Sequence, residues 1–253
     1  MDTSVQPATI IGGPVSPYVR KVLAVCELKG VPYRLDPIVP FFGDDKFSEL
    51  SPLRRIPVFI DDQVSLCDST VICEYLEERY PSLAVLPSGA VERARARWVE
   101  EFADTRLGSV AIWKIFYHAV VLPFVFGKER ETDRIARAVA EDLPPVMDYL
   151  ESLAPAEGFL FGEPGIADIS VAAFACNLRW ARSTPDAARW AKACAWFERT
   201  HALPAVAKVT RYGDTLMRTP PAEQRKALAG LGIALTETTL ATTKPRRGPM
   251  TST

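Results

Sequence analysis

The stretch that decides the fold runs Ala8-Thr9-Ile10-Ile11-Gly12-Gly13-Pro14-Val15-Ser16-Pro17-Tyr18-Val19-Arg20. Its largely apolar opening predicts a buried strand over 8–12. Apolar residues then recur at three- and four-residue steps, which predicts a helix over 17–30 with one face on a sheet. Pro17 suits the first position of that helix, and Gly30 suits the position just after its end.

The chain continues from this helix into a second strand and then a hairpin. Val31-Pro32-Tyr33 opens a strand that reaches about Val39, so the strand–helix–strand order predicts a right-handed crossover and parallel pairing. Residues 58–60 and 64–66 read as two antiparallel strands around a tight turn. Asp68 or Ser69 then caps a helix that runs to about residue 80. This βαβ–ββα order is thioredoxin-like.

The composition changes after this half of the chain. Residues 82–90 are rich in Pro, Ser and Gly and predict a linker between a domain at 8–81 and a second domain at 91–216. The second domain shows only helical patterns, which cover 91–126, 131–153, 165–182, 186–200 and 204–212. The predicted fold is therefore an α/β thioredoxin-like domain followed by an all-α helical bundle. Residues 217–253 form an extension whose Thr-rich part, 236–253, is expected to be disordered.

The overall composition excludes several classes of protein. The 253 residues are 48% hydrophobic and 24% charged, with a net charge of −1, as in an ordinary globular protein. The 30 basic residues are scattered, so no nucleic-acid partner is expected. No run is apolar enough to predict a membrane span, and the N-terminus lacks the layout of a signal peptide. The expected location is cytoplasmic.

The cysteines and histidines do not predict a metal site or a disulfide scaffold. The five cysteines form no Cys-x-x-Cys pair, and the two histidines, His118 and His201, are too few for a multi-histidine metal centre. The expectation is five free thiols and no bound metal.

Ser16 stands at the predicted mouth of the first helix. Backbone N–H groups at a helix N-terminus lack partners within the helix, and the helix dipole is positive there. A thiolate at this position would be stabilised, and the Ser16 hydroxyl could add a hydrogen bond to the sulfur. The alternative is that Ser16 only caps the helix, since serine is a favoured cap.

Two further elements have the same double interpretation. Pro57, between a loop and a strand, could follow a cis bond that turns the Ile56 backbone outward, or it could be an ordinary trans proline. Ser69 offers a hydroxyl and backbone N–H groups to a carboxylate, and Asp68 offers an anion to an amine. Together they suit an α-amino-acid head group, although any Asp-Ser pair before a helix could be a plain cap.

In this order the three elements resemble the N-terminal domain of cytosolic glutathione S-transferases. Ile56-Pro57 is similar to the family's cis-proline position, and Asp68-Ser69 to its acidic-Ser pair, which holds the γ-glutamyl end of glutathione. By this resemblance the Ile56 backbone pairs with the cysteinyl unit. Ser16 falls where the family places its activating Ser or Cys. The resemblance covers residues 8–212 and implies a homodimer with glutathione as co-substrate.

The run from Ser16 to Arg20 is similar to the omega-like pattern Cys-Pro-Phe-x-x-Arg, with Ser in place of Cys. A cysteine there would form a mixed disulfide with glutathione and support thiol transfer, which serine cannot do. The resemblance therefore favours thiolate stabilisation over a disulfide-exchange activity. Cys26 is expected to lie in the core, where it would be a poor substitute nucleophile.

The resemblance extends into the helical domain at residues 162–168, Gly-Glu-Pro-Gly-Ile-Ala-Asp. The family has Ser or Thr at the helix cap, where this chain has Gly165. Asp168 is expected to reach back to backbone N–H groups as a structural residue. Arg55 and Lys46 are the candidate cations for the glycine end of glutathione.

The aromatic residues of the 91–126 helix are the candidates for the substrate pocket. The resemblance implies that an electrophile binds against Trp113, Phe116 and Tyr117, with Tyr18 lining the same cleft. Each of these residues could instead be helix core. His118 could act as a general acid or base, or could simply be packed.

The resulting prediction is a glutathione transferase that joins the glutathione thiolate to a small apolar electrophile. Ser16 would stabilise the thiolate, and proximity would supply much of the remaining acceleration. Three alternatives remain open. They are a glutathione-dependent isomerase or ether-cleaving enzyme, a non-catalytic binding or regulatory protein on the same fold, and a thiol-disulfide oxidoreductase, against which Ser16 argues.

Overall fold

The computed structural model describes residues 6–246. These residues divide into two units. Unit 1 is formed by residues 6–83 together with 208–246, and unit 2 by residues 84–207. The C-terminal part of the chain therefore belongs to the same unit as the N-terminal strands.

Unit 1 contains a four-stranded mixed sheet. The strands are β1 (Ala8–Ile11), β2 (Tyr33–Asp36), β3 (Val58–Ile60) and β4 (Ser65–Cys67), in the spatial order β2-β1-β3-β4. β1 pairs with β2 in parallel, and β3 pairs antiparallel with both β1 and β4. The predicted thioredoxin-like strand order is confirmed. β2 is an edge strand, and it ends before Pro37, which cannot donate to a ladder.

The strand register separates the two faces of the sheet. Ile10 lies opposite Leu35 on one side and Phe59 on the other, so these buried residues share one face. Ile11 and Val58 lie on the opposite face, in a buried cluster with Ile38 and Phe47. Asp36 is in register with Ile11 and therefore faces the same way as this cluster.

Three helices complete the N-terminal part of unit 1. They are α1 (Pro17–Lys29), α2 (Asp45–Leu50) and α3 (Ser69–Arg79), and a 3-10 turn (Pro40–Phe42) precedes α2. α1 begins at Pro17 and ends before Gly30, whose φ of 66° closes the helix in a left-handed conformation, as predicted. α1 packs against α3.

The C-terminal part of unit 1 contains the end of α10 (Pro204–Arg218), a 3-10 turn (Pro221–Glu223) and α11 (Gln224–Gly230). Disorder was the expectation for 236–253. In the structure, residues 236–246 form hydrogen bonds with residues 35–45. The buried Asp36 carboxylate accepts from Thr239 and Leu240, and backbone groups of the two segments also pair. Residues 247–253 lie outside the described part of the chain.

Unit 2 begins with one continuous helical run, as the sequence predicts. It comprises α4 (Ala90–Phe102), π-helical turns (Ala103–Leu107 and Ser109–Val121) and α5 (Leu122–Phe126). By length and composition alone this helix could cross a membrane, a test that core helices of soluble proteins also pass. Here its π-helical part packs against α6 and α8, and it buries Val110, Ile115 and Phe116.

The remaining helices of unit 2 precede and follow α8 (Ile166–Trp180) in the chain. They are α6 (Thr132–Arg137), a π-helical turn (Ala138–Asp142), α7 (Leu143–Leu153) and α9 (Ala191–His201). α8 is buried on most of its surface and contacts α4 and α9. The π-helical turn ends just before Pro144, which lies in the first turn of α7.

Candidate functional site

Two glycines carry the chain from β1 into α1. The N–H of Gly12 donates to the Asp36 carbonyl at 2.8 Å, and the N–H of Gly13 donates to the Ile38 carbonyl at 2.7 Å. Gly12 has a φ of +143°, and a Cβ there would stand 2.7 Å from Val19 Cγ2 and 2.9 Å from Ile56 Cβ. Only glycine fits this position, so the turn that leads to Ser16 is fixed tightly against the strands.

Ser16 caps α1. Its backbone N–H donates to the Gly13 carbonyl at 3.0 Å, and its Oγ accepts a long hydrogen bond, 3.4 Å, from the N–H of Val19. The first turn of α1 contains no acidic residue, so no carboxylate there offsets the positive end of the helix dipole. An oxygen that accepts from Val19 still carries a hydrogen to donate, so the capping role and a role toward an anion are compatible.

Two buried cations in α1 support this turn, and the sequence analysis did not single them out as site residues. Arg20 is 2% exposed, and its Nη1 donates to the Pro14 carbonyl at 2.6 Å and to the Val15 carbonyl at 2.8 Å. Lys21 Nζ donates to Thr70 Oγ1 at 3.2 Å. The pattern Cys-Pro-Phe-x-x-Arg spans six residues, so its final cation falls on Lys21. Charged residues among the apolar residues of α1 were the signal available in the sequence.

The second element carries the cis bond that the sequence analysis considered. The Ile56–Pro57 peptide is cis, Pro57 is buried and Ile56 is half-buried. Within residues 6–246 the Ile56 peptide N–H and C=O form no hydrogen bond. The loop before it is held by Ser51, whose Oγ donates to the Arg55 carbonyl at 2.8 Å and accepts from the Arg55 N–H at 2.9 Å.

The third element lies at the start of α3. Asp68 caps the helix at a φ of +79°, a conformation that non-glycine residues adopt rarely. Its Oδ1 accepts from the N–H groups of Thr70 at 2.9 Å and Val71 at 3.4 Å, and neither of these bonds uses Oδ2. The Asp68 residue is exposed, whereas Ser69 is buried. The carboxylate therefore caps the helix while facing solvent.

The three elements are neighbours within unit 1. The close approach of Gly12 to Ile56 joins the first element to the second, and the Lys21–Thr70 bond joins the first to the third. The candidate cations Lys46, on α2, and Arg55 are both exposed. Tyr18, in the first turn of α1, is half-buried.

The aromatic residues proposed for the substrate pocket differ in burial. Phe116 is 3% exposed and lies 6.4 Å from Trp180, centroid to centroid. Trp113 is 37% exposed and lies 5.9 Å from Tyr117. Phe116 is therefore a core residue of unit 2, and Trp113 and Tyr117 present aromatic surface beside it. His118 Nδ1 lies 3.0 Å from the Glu131 carboxylate.

The cysteines are free, and burial disfavours the thiolate of three of them. All five are free thiols. Burial raises the pKa of the Cys26 thiol far above its ordinary value, and burial also raises the pKa of Cys67 and of Cys194. Cys26 is therefore a poor nucleophile. Within residues 6–246, no cluster of three or more His, Cys, Asp or Glu side chains could hold a metal ion.

Asp168 has the structural position that the sequence analysis expected. Its Oδ2 accepts from the Gly165 N–H at 2.9 Å, and its Oδ1 accepts from the Leu160 N–H at 3.0 Å and from Trp196 Nε1 at 2.6 Å. A Cβ on Gly165 would stand 2.8 Å from the Val85 carbonyl oxygen, which itself accepts from the Ile166 N–H. This close approach explains why a glycine occupies the cap in place of Ser or Thr.

Comparison with known proteins relates the N-terminal part of the chain to one family. Residues 10–87 match the family described as the glutathione S-transferase N-terminal domain. A probable glutathione S-transferase from Glycine max is 27% identical over 174 residues, covering 67% of this chain and 71% of the relative. A stringent starvation protein A homolog from Haemophilus ducreyi is 39% identical over 80 residues, covering 32% of this chain and 37% of the relative.

A third relative, maleylacetoacetate isomerase from Pseudomonas aeruginosa, is 28% identical over 156 residues and covers 59% of this chain and 71% of the relative. Among solved structures, a glutathione S-transferase from Rhodospirillum rubrum superposes with a TM-score of 0.74 at 21% identity, covering 87% of this chain and 99% of that one. Residues 10–87 are thus similar to the N-terminal domain of glutathione S-transferases, and the solved structure shows that the chain has the glutathione S-transferase fold. These similarities support a function of the glutathione transferase type.

Proposed function

We propose that this protein is a glutathione transferase that joins the glutathione thiolate to a small apolar electrophile. The observation that carries the proposal is the position of Ser16, which caps a 13-residue helix whose first turn contains no acidic residue. A thiol has an ordinary pKa of about 8.5, and each unit of lowering corresponds to about 1.4 kcal/mol of preference for the thiolate. Helix N-termini lower thiol pKa values in this way.

The rest of the peptide would be held by the other two elements. The N–H and C=O of Ile56, which have no partner among residues 6–246, can pair with the cysteinyl unit of an extended peptide. At the start of α3, Asp68 offers Oδ2 to the γ-glutamyl ammonium. The helix N-terminus beside Ser69 favours the carboxylate of the same γ-glutamyl group. Lys46 or Arg55 would meet the glycine carboxylate. The three contacts would fix the thiol at Ser16.

The proposed reaction needs only the two substrates and water, which takes up the thiol proton as the thiolate forms. The thiolate donates an electron pair to the electrophilic carbon and forms the C–S bond. In a substitution the leaving group departs with its bonding pair, and in an addition the resulting carbanion takes a proton from water. Ser16 donates a hydrogen bond to the thiolate, and proximity of the two substrates supplies much of the rate. Trp113 and Tyr117 are proposed to offer an apolar surface of unit 2 to the electrophile.

The experiment compares three proteins with glutathione and two electrophiles, an aryl halide for substitution and an α,β-unsaturated ketone for addition. These are the wild type, Ser16→Ala and the control Ser65→Ala, an exposed serine on β4. Loss of a charge-assisted hydrogen bond predicts a roughly ten- to hundredfold lower kcat for Ser16→Ala and no change for the control. Equal turnover by all three proteins would contradict the proposal.

An isomerase is the second candidate, since a relative named maleylacetoacetate isomerase matches 59% of this chain. The same thiolate would add to a conjugated double bond, allow rotation about the resulting single bond and then leave, so glutathione would not be consumed. A cis-to-trans assay with catalytic glutathione separates this activity from conjugation. Ether cleavage would consume glutathione and release an alcohol or phenol. A non-catalytic protein would show neither activity.

The location and the oligomeric state are proposed from the similarity to glutathione S-transferases. We propose that the protein is a cytoplasmic homodimer, as is typical of the family. Sedimentation of the purified chain tests the oligomeric state, with a mass of about twice 27.9 kDa expected for the dimer.

A further inference from the structure

The C-terminal segment 234–246, here called the strap, extends the sheet of unit 1. The N–H of Leu35 donates to the Ala234 carbonyl at 2.9 Å, and the N–H of Thr236 donates to the Leu35 carbonyl at 3.1 Å. Leu235 thereby forms a parallel bridge with Leu35 on β2, the edge strand. The strap satisfies backbone groups that an edge strand otherwise leaves unpaired.

Asp36, the last residue of β2, anchors the strap. Its side chain is 3% exposed. Oδ1 accepts from Thr239 Oγ1 at 2.7 Å and from Arg225 Nη1 at 3.1 Å, and Oδ2 accepts from the Leu240 N–H at 2.8 Å. A buried carboxylate requires such donors, and here they all come from the C-terminal part of the chain. Without the strap, Asp36 would keep only Arg225, on α11, of these three donors.

Beyond Leu240 the strap runs along the loop that precedes α2. The Asp44 N–H donates to the Leu240 carbonyl at 2.9 Å, and Gly43 forms an antiparallel bridge with Ala241. Thr242 Oγ1 donates to the Phe42 carbonyl at 3.0 Å. The strap thus fixes the backbone of residues 42–44 on one side.

On its other side, this loop is joined to the segment of Ile56. Arg54 lies two residues before Ile56 in the chain. Its Nη2 donates to the Gly43 carbonyl at 2.7 Å. The Leu240 side chain packs against the buried cluster of Ile11, Ile38, Phe47 and Val58, against which Ile56 also packs. The carbonyl of Asp36 holds the Gly12 N–H at 2.8 Å, in the turn that leads to Ser16.

We infer that the strap is a positioning element of the glutathione site, with Asp36 and Leu240 as its positioning residues. It holds the Ile56 segment and the Gly12 turn in the geometry that binds glutathione. The strap need not touch glutathione itself. The inference rests on the proposed function, because it assigns the strap to the glutathione site of unit 1. When only a fraction of the protein is in the binding-competent state, the apparent Kd equals the intrinsic Kd divided by that fraction.

The test uses full-length variants. Leu240→Asp places a charge against the apolar cluster and so breaks the contact that the strap itself makes with the sheet. Asp36→Asn keeps the volume of the anchor but replaces an acceptor oxygen with a donor. The control is Glu237→Ala, an exposed position of the strap. Calorimetry gives the glutathione Kd, steady-state kinetics give kcat and the KM for the electrophile, and hydrogen exchange of the unliganded protein reports residues 12–16 and 40–57.

For both Leu240→Asp and Asp36→Asn, the expected result is a glutathione Kd raised about tenfold, which corresponds to a binding-competent population of about one tenth. Exchange over 12–16 and 40–57 should accelerate. At saturating glutathione, kcat and the KM for the electrophile should stay within about twofold of the wild type, a split that general destabilisation would not produce. The control should match the wild type throughout.

Faster exchange of residues 234–242 with an unchanged Kd and unchanged exchange over 40–57 would overturn the inference. A wild type that does not bind glutathione would refute the proposed function instead. In that case the exchange of unliganded protein still decides whether the strap orders residues 12–16 and 40–57, since unchanged exchange there would overturn that claim by itself.

Discussion

Gly12 and Ile56 lie so close together that a methyl group on Gly12 would stand 2.9 Å from the Ile56 Cβ. The same methyl group would meet Val19 Cγ2, on the first helix, at 2.7 Å. This approach joins the turn that carries Ser16 to the segment proposed to pair with the cysteinyl unit. The distance between the thiolate site and the peptide-binding segment therefore depends on the absence of a side chain at residue 12.

Gly12→Ala is expected to lower the free energy of unfolding by about 3 kcal/mol, because it combines overpacking with a φ of +143°. Gly30→Ala is the matched control, since its φ is +66° and a Cβ there meets nothing within 4 Å. That variant should lose only about 1 kcal/mol, from the left-handed backbone alone. Urea unfolding measures both, and equal losses would show that the contact with Ile56 carries no energy.

Asp168→Asn should destabilise unit 2 without removing activity from the folded protein. The carboxylate is buried and accepts from three donors, and an asparagine would present its amide nitrogen to at least one of them. A loss of about 3 kcal/mol is expected. Asp133→Asn, at an exposed position, is the control. Activity is measured well below the melting temperature, and loss of kcat in a folded Asp168→Asn protein would argue for a chemical role.

Tyr75→Phe tests the electrostatics of the β3–β4 turn. Burial alone would raise the pKa of Asp61, yet the Tyr75 hydroxyl at 2.7 Å, two backbone N–H groups and Arg79 hold it below its ordinary value. The pKa of Tyr75 is raised to about 12, so its hydroxyl remains a donor at neutral pH. A lowered carboxyl pKa contributes stability above the unfolded pKa near 4, and that stability is lost as pH falls through the folded pKa.

The variant should therefore be about 1 kcal/mol less stable than the wild type at pH 7. The difference should begin to shrink below about pH 4, the ordinary carboxyl pKa, and shrink further as pH falls through the lowered folded pKa of Asp61. Thermal or urea unfolding from pH 3 to pH 7 gives the comparison. A difference that stays constant across this range would mean that the hydroxyl acts through packing and not through the carboxylate charge.

Trp113 and Phe116 should separate specificity from stability. Phe116→Ala removes a ring that is 3% exposed and should cost about 3 kcal/mol or more of unfolding free energy. Trp113→Ala removes a ring that is 37% exposed and should cost much less, while changing kcat/KM unequally among apolar electrophiles of different size. If Trp113→Ala scales kcat/KM equally for every electrophile tested, Trp113 does not contact the substrate.

Much of unit 1 could be predicted because its signals are local. The apolar stripe of the first helix, Pro17 at its start and Gly30 at its end define α1 to within one residue. At Pro57 and at the start of α3 the short motifs left two possibilities each, and the structure has the cis bond and the Asp68 cap, not a trans bond and a Ser69 cap. Asp168 was recognised as structural for the same reason, since its partner Gly165 is three residues away.

The strap could not be predicted, because its stability depends on residues two hundred positions away. Thr239 and Leu240 lie in a Thr-rich segment whose composition is typical of a disordered tail. The Thr239 hydroxyl and the Leu240 N–H find their acceptor in the carboxylate of Asp36, on an edge strand. The buried positions of Arg20 and Lys21 were missed for a related reason. Their partners are backbone carbonyls of the preceding turn and a hydroxyl on α3, which no helical pattern reveals.

The most direct test of the central claim is an ultraviolet titration of the glutathione thiolate bound to the protein, for the wild type and for Ser16→Ala. The proposed site predicts a bound-thiol pKa at least about one unit below that of the free peptide. In Ser16→Ala the pKa should move back towards the free value, because one donor to the sulfur is lost while the helix dipole remains. A bound thiol whose pKa is unshifted, or shifted equally in both proteins, would contradict the role assigned to Ser16.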